Sequence, residues 1–266
     1  MAEPKITIKH LLQMKQAGRK ISCLTSYDAS FTRLAEQAGV EVLLVGDSLG
    51  MVVQGRESTL PVTVEEMIYH SQNVSRVRQS ALIVADMPFM SYRTPALALK
   101  SAGRLMKEGG AHMVKLEGGH SQTESVRQLS SQGIPVCGHL GLQPQSVHKL
   151  GGYRVQGRDS TVAETIKRDA LALEEAGADL LVLECVPSDL AGAVSRSLSI
   201  PVIGIGAGPD TDGQVLVVYD MLGMNPHAPR FVKDFLMEGR NILQAFTAYV
   251  HEVREGLFPT ADQSYQ

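Results

Sequence analysis

The chain has only three cysteines, Cys23, Cys137 and Cys185, an odd number without CxxC spacing. That pattern excludes a disulfide scaffold and reads as reduced core thiols in a cytosolic protein. Basic blocks are absent and the formal net charge is −3, so nucleic acid is not an expected partner. No apolar run approaches the length of a membrane span. The N-terminal stretch carries Lys5, Lys9 and Lys15 in an amphipathic pattern and lacks the apolar core of a signal peptide, so a cytoplasmic location is expected. The 25 Gly and 12 Pro are dispersed along the 266 residues, which leaves no linker. One barrel-sized domain over 1–266 is expected, with a polar tail, 257–266, that frays.

What is present is an alternation. Short apolar, β-branched runs predict strands near 21–25, 42–46, 81–86, 112–116, 135–139, 179–184, 201–205 and 215–219. Such near-continuous runs suit strands of a parallel sheet buried on both faces. Capping-box patterns at Thr63/Glu66, Ser121/Glu124, Thr161/Glu164 and Thr211/Gln214, and Thr94-Pro95, mark helix starts between them. Glycines after Glu108, Gln132 and Ala176 mark helix ends. A further helix is expected near 8–17 and a long one near 231–255. An open doubly wound sheet is the rival, but the first turn, Leu24-Thr25-Ser26-Tyr27-Asp28, lacks its glycine fingerprint. The expected fold is therefore α/β, a (β/α)8 barrel with an extra N-terminal helix.

Several apolar runs end in a polar residue: Asp47, Asp86, Lys115 with Glu117, His139, and Glu184. In a barrel the C-terminal strand ends share one mouth, where catalysis occurs. Asp47 and Asp86 end neighbouring strands, which lie about 4.8 Å apart, so they can share a cation, joined by Glu117 directly or through water. An all-oxygen site suits Mg²⁺, and no His/Cys cluster suggests zinc. The alternative is a turn cap at Asp47 and a surface pair at Asp86. Lys115 and Glu117 are two apart on one strand and point the same way. Lys115 can bind a substrate carboxylate or steady an oxyanion, or else form a structural Lys–Glu pair. A Schiff base is disfavoured because neighbouring carboxylates keep a lysine charged. His139 is either a substrate contact or a satisfied core histidine. Glu184 follows four apolar residues and is partly desolvated, as a general base requires, unless an arginine compensates it. Gly204-Ile205-Gly206-Ala207-Gly208 is either a phosphate-binding turn or a site of close packing. The long segment 139–158 suggests a lid or binding loop. Together these residues describe a divalent-metal barrel enzyme that enolises an α-keto acid.

The strings Leu24-Thr25-Ser26-Tyr27-Asp28, Val45-Gly46-Asp47-Ser48-Leu49-Gly50-Met51, Asp86-Met87-Pro88-Phe89, Val114-Lys115-Leu116-Glu117-Gly118-Gly119, Gly138-His139-Leu140-Gly141-Leu142-Gln143-Pro144 and Ile203-Gly204-Ile205-Gly206-Ala207-Gly208 resemble the ketopantoate hydroxymethyltransferase family, over about residues 5–255. The resemblance implies a barrel of the phosphoenolpyruvate/pyruvate superfamily. It implies transfer of a one-carbon unit from 5,10-methylenetetrahydrofolate to 3-methyl-2-oxobutanoate, giving 2-dehydropantoate in pantothenate biosynthesis. It further implies Mg²⁺ on Asp47, Asp86 and Glu117, keto-acid binding by Asp47, Ser48, Asp86 and Lys115 with His139 as a further contact, and Glu184 as the base at C3. A homo-oligomer, commonly a decamer of two pentameric rings, is implied as well.

Two other classes compete. A Mg²⁺-dependent C–C or C–P bond lyase or mutase of the same superfamily uses an enolate too, but lyases of that kind carry a Lys-x-Cys-Gly-His motif. Here Cys137-Gly138-His139 lacks the preceding lysine. A non-catalytic keto-acid sensor would have no use for a base at the substrate carbon.

Overall fold

Eight apolar runs form eight parallel strands: β1 (Ile21–Thr25), β2 (Val42–Val45), β3 (Leu82–Asp86), β4 (Met113–Glu117), β5 (Val136–Gly141), β6 (Leu180–Glu184), β7 (Val202–Ile205) and β8 (Gly213–Leu216). In the computed structural model, which describes residues 5–237 and 239–266, they pair in chain order and β8 closes onto β1. The fold is the expected (β/α)8-type barrel. The helix Ile8–Gln16 precedes it and sends Leu11 and Met14 into the floor of the barrel interior. No helix among the described residues is long and apolar enough to cross a membrane.

Inward-facing residues change character along the strands. Leu82 and Val84 precede Asp86, Met113 precedes Lys115 and Glu117, Cys137 precedes His139, and Leu180 and Val182 precede Glu184. The intervening residues Ile83, Ala85, Val114, Leu116, Leu181 and Leu183 face the outer helices. Period-two alternation thus stacks an apolar lower interior beneath a polar mouth. Cys23, Cys137 and Cys185 are buried free thiols, and burial pushes Cys137 up to about 12, so they are inert at neutral pH.

Thr63 forms its expected capping box with Glu66, and Thr94 caps the helix Pro95–Lys107. Three other expected starts differ. Ser121 lies in a short 3₁₀ turn, His120–Gln122, and the helix Thr123–Ser131 has no side-chain cap. In Ser160–Glu175 the cap is Asp159, which accepts from the N–H groups of Thr161 and Val162. A carboxylate there also complements the helix dipole. Thr211 and Gln214 open no helix. The Gln214 amide donates to Thr211 Oγ1 and to the Gly208 carbonyl, and Gln214 belongs to β8. Strands β7 and β8 are therefore joined by residues 206–212 without a helix, so the seventh βα unit is incomplete and β8 starts earlier than expected.

The long C-terminal helix spans Ile242–Arg254, opened by an Asn241/Gln244 capping box, rather than 231–255; position 238 lies outside the described residues. Phe231 and Phe235 pack into the core from irregular chain. The tail expected to fray is docked. Phe258 is 3% exposed, Ser188 donates its N–H to the Tyr265 carbonyl at 2.9 Å, and Arg230 donates to the Asp262 carbonyl at 2.7 Å.

Candidate active site

Strand register places the charged residues side by side at the mouth. Asp86 on β3 is the register partner of Lys115 on β4, and Glu117 on β4 is the partner of His139 on β5. Parallel-strand partners project to the same face, so Lys115 meets Asp86, Nζ to Oδ1, at 2.6 Å. Asp47 lies just beyond β2 and donates its backbone N–H to Asp86 Oδ2 at 3.1 Å. Gly46 occupies the turn between them, where a Cβ would fall 2.7 Å from Ser48 Oγ. Ser48 in turn shares a 2.8 Å hydrogen bond with the Tyr27 hydroxyl.

Asp47, Ser48, Asp86, Lys115, Glu117 and His139 line one cavity of about 490 Å³. Glu184 ends β6 on its wall, with Oε2 3.2 Å from His139 Nε2. On the other side of the ring, His139 Nδ1 is 3.6 Å from Glu117 Oε1. Neither contact is aligned as a hydrogen bond, and both ring nitrogens are buried without a partner. The ring therefore sits between the Glu184 and Glu117 carboxyl groups at the cavity wall, within a small shift of a hydrogen bond to Glu184. The chain leaves Glu184 sharply: Cys185 adopts φ 48°, an uncommon left-handed conformation for a residue with a Cβ.

Burial shapes the charges. Asp47 is raised to about 7 by burial first and by the Asp86 charge second. Glu117 is raised well above the carboxylate range by burial and by Asp47. Burial would lower Lys115, but Asp86, Asp47 and Glu117 outweigh it and hold the ammonium above its ordinary value. His139 is lowered, by burial first and then by Lys115, and is neutral. The floor thus gathers Asp47, Asp86 and Glu117 around the Lys115 ammonium, which pairs with Asp86, and the crowding of carboxyl groups favours a retained proton on Asp47 and Glu117 unless a further cation joins them.

Among the described residues, no three His, Cys, Asp or Glu side chains form a preformed metal cage. The oxygen-rich donor set of Asp47, Asp86 and Glu117 nonetheless fits Mg²⁺, which takes one or two carboxylates, displacing any proton they hold, and fills the rest of its shell from water and substrate.

The profile of the ketopantoate hydroxymethyltransferase family matches residues 5–261. The chain belongs to this family. Two relatives named 3-methyl-2-oxobutanoate hydroxymethyltransferase come from Alkalilimnicola ehrlichii, 59% identical over 98% of this chain and 94% of the relative, and Nitrosococcus oceani, 58% identical over 98% and 99%. As a ketopantoate hydroxymethyltransferase family member, the chain is a transferase. Solved structures share its fold at low identity. Phosphonopyruvate hydrolase in complex with oxalate and Mg²⁺ has a TM-score of 0.61 at 13% identity, over 79% of this chain and 80% of that one. Oxaloacetate acetylhydrolase in complex with 3,3-difluorooxalacetate has a TM-score of 0.60 at 15% identity, over 97% and 99%. These neighbours share the barrel fold with this chain.

Every residue singled out in the sequence, Asp47, Ser48, Asp86, Lys115, Glu117, His139 and Glu184, lines the cavity. Sequence reasoning missed Tyr92 and Gln145, whose side chains hydrogen-bond to each other, Gln145 donating also to the Asp47 carboxylate and Tyr92 accepting from the Glu117 backbone N–H, and Tyr265, which lines the cavity from the tail. The only hint of Gln145 was its place after Gln143-Pro144. In the segment 139–158, Tyr153, Arg154 and Val155 line the cavity, as a binding loop would. The glycines after β7 serve close packing. A Cβ at Gly206 would sit 2.7 Å from Phe231, and one at Gly208 would sit 2.2 Å from Ser188 Oγ.

Proposed function

We propose that the cavity enolises 3-methyl-2-oxobutanoate and joins its C3 to the one-carbon unit of 5,10-methylenetetrahydrofolate, giving 2-dehydropantoate and tetrahydrofolate. The observation that carries this reading is the division of charge: Lys115 is held protonated by Asp86 at the floor, while Glu184, two strands on, lines the same cavity. A fixed cation that meets developing negative charge, in one cavity with a carboxylate that takes the proton, is the arrangement enolisation needs.

Asp47 and Asp86, with Glu117 directly or through water, would hold Mg²⁺. When bound, the ion supplies positive charge to the keto oxygen as negative charge develops there. A protein of the same fold, phosphonopyruvate hydrolase, was solved with Mg²⁺ and oxalate, an analogy at the level of fold.

The residues of the chain then divide the work. Ser48 and Lys115 bind and orient the keto acid. Lys115 stays charged and does not act as an amine nucleophile. Glu184 removes the C3 proton, and the electron pair left at C3 forms the new C–C bond to the one-carbon carbon. Water supplies the hydroxyl oxygen of the hydroxymethyl group as tetrahydrofolate leaves. Neutral His139, beside Glu184, offers a ring N–H to the substrate or to the protonated base.

The test is deuterium exchange at C3 of 3-methyl-2-oxobutanoate in D₂O, followed by NMR, with and without Mg²⁺. Wild-type protein should exchange the proton in a metal-dependent manner. Glu184→Gln should lower the rate by about 10²–10⁴-fold while keto-acid binding persists. Binding that collapses together with exchange would make Glu184 a binding residue. Wild-type protein that exchanges neither alone nor with tetrahydrofolate added would refute the enolisation.

A further inference from the structure

Gln145 stands where three carboxylate-bearing strand ends meet. Its backbone N–H donates to Glu117 Oε2 at 3.0 Å. Its side-chain Nε2 donates to Asp47 Oδ2 at 2.8 Å and to the Met87 carbonyl at 3.0 Å. Its Oε1 accepts from the Tyr92 hydroxyl, and the Tyr92 oxygen accepts from the Glu117 N–H at 3.3 Å. Gln145 is 7% exposed, so these bonds replace water rather than compete with it.

The direction of the amide is fixed by chemistry. A carbonyl can only accept, so the group facing Met87 O must be the nitrogen. A reversed amide would set Oε1 against that carbonyl and the Asp47 carboxylate, with no donor among them. The Tyr92 hydroxyl completes the arrangement by donating to the oxygen.

Both donors that Gln145 supplies are uncharged. They aim the carboxylates of Asp47 and Glu117 without neutralising them, whereas Asp86 is already paired with the Lys115 ammonium. A lysine or arginine at position 145 would compete with a bound cation for the same oxygens. A neutral amide leaves their charge available, and groups behind metal ligands commonly act in this way.

We infer that Gln145 is a positioning residue that sets Asp47 and Glu117 for a divalent cation, with Tyr92 fixing its amide. The inference rests on the metal reading above. Gln145→Met keeps the side-chain length and removes the three side-chain amide hydrogen bonds while leaving the backbone N–H to Glu117; Tyr92→Phe removes only the hydroxyl. Mn²⁺ affinity, measured from the free-ion EPR signal without substrate, reads the effect apart from turnover, and thermal melts report folding. The expected result is about 10–100-fold weaker Mn²⁺ binding for Gln145→Met and a smaller loss in the same direction for Tyr92→Phe. Wild-type affinity in a folded Gln145→Met protein would overturn the role. If that variant does not fold, a folded Tyr92→Phe protein with wild-type affinity would overturn it instead. Wild-type protein that binds no Mn²⁺ would overturn the metal reading itself, and this inference with it.

Discussion

Asp86 and Lys115 are direct register partners on β3 and β4, and their charged atoms lie 2.6 Å apart at the floor of the cavity. The pair is buried. Removing one member of such a pair leaves an uncompensated buried charge, which costs about 3–5 kcal/mol. Lys115→Met should therefore destabilise the chain by that order in urea unfolding. The double variant Asp86→Asn/Lys115→Met should recover part of the stability and none of the C3 exchange. A single variant as stable as wild type would show that the pair is not buried as a unit in solution.

Asp47 leads to a pH dependence of opposite sign to that of an ordinary salt-bridged carboxylate. Burial, and then the Asp86 charge, raise it from 3.8 to about 7 in the folded state. Between those values the folded chain holds a proton that the unfolded chain has released, so stability falls as pH rises through this window and levels off above it. In metal-free protein, Asp47→Asn should be more stable than wild type at pH 8, by on the order of a few kcal/mol, and should match it near pH 4. Urea midpoints measured with EDTA at both pH values check this. An unchanged difference across the window would rule out the raised carboxyl. Saturating Mg²⁺ should erase the advantage if the ion neutralises Asp47.

Gly141 should prove specific where another loop glycine is not. It has φ 86°, and a Cβ there would sit 2.2 Å from the Glu184 carbonyl oxygen, the same oxygen that accepts the Leu142 N–H at 2.8 Å. Gly151 has φ 70° with nothing within 4 Å of a Cβ. Gly151→Ala meets only backbone strain, about 1–2 kcal/mol, and should keep wild-type C3 exchange. Gly141→Ala should cost more and should slow exchange by displacing Glu184. Equal exchange rates in the two variants would separate the Glu184 backbone from its function.

The site's charged residues were legible because each ends an apolar run. Asp86, Lys115, Glu117 and Glu184 inherit their inward direction from the period-two alternation of their strands. Gln145, Tyr92 and Tyr265 were not legible. A neutral amide or a phenol leaves no periodic mark, and the Gln145 contacts to Asp47, Tyr92 and Glu117 span 98, 53 and 28 positions. Helix starts at Ser121 and Thr161 misled for a local reason: a capping pattern states what a side chain can do, while a neighbouring acceptor such as Asp159 can do it instead.

By itself the sequence determined the strand order, the barrel and the set of charged residues at its mouth, because alternation along a short strand is a local property of the chain. Tertiary structure alone decided the rest. It set which charges neutralise one another, since that depends on register between strands. It joined β7 to β8 without a helix, because Gln214 bonds back to Thr211 and Gly208. It also brought the tail, with Tyr265, to the cavity wall. Phe258 packs against Phe235 and Tyr249, and an aromatic residue in a polar tail finds its core only when the barrel and its helices have formed that core.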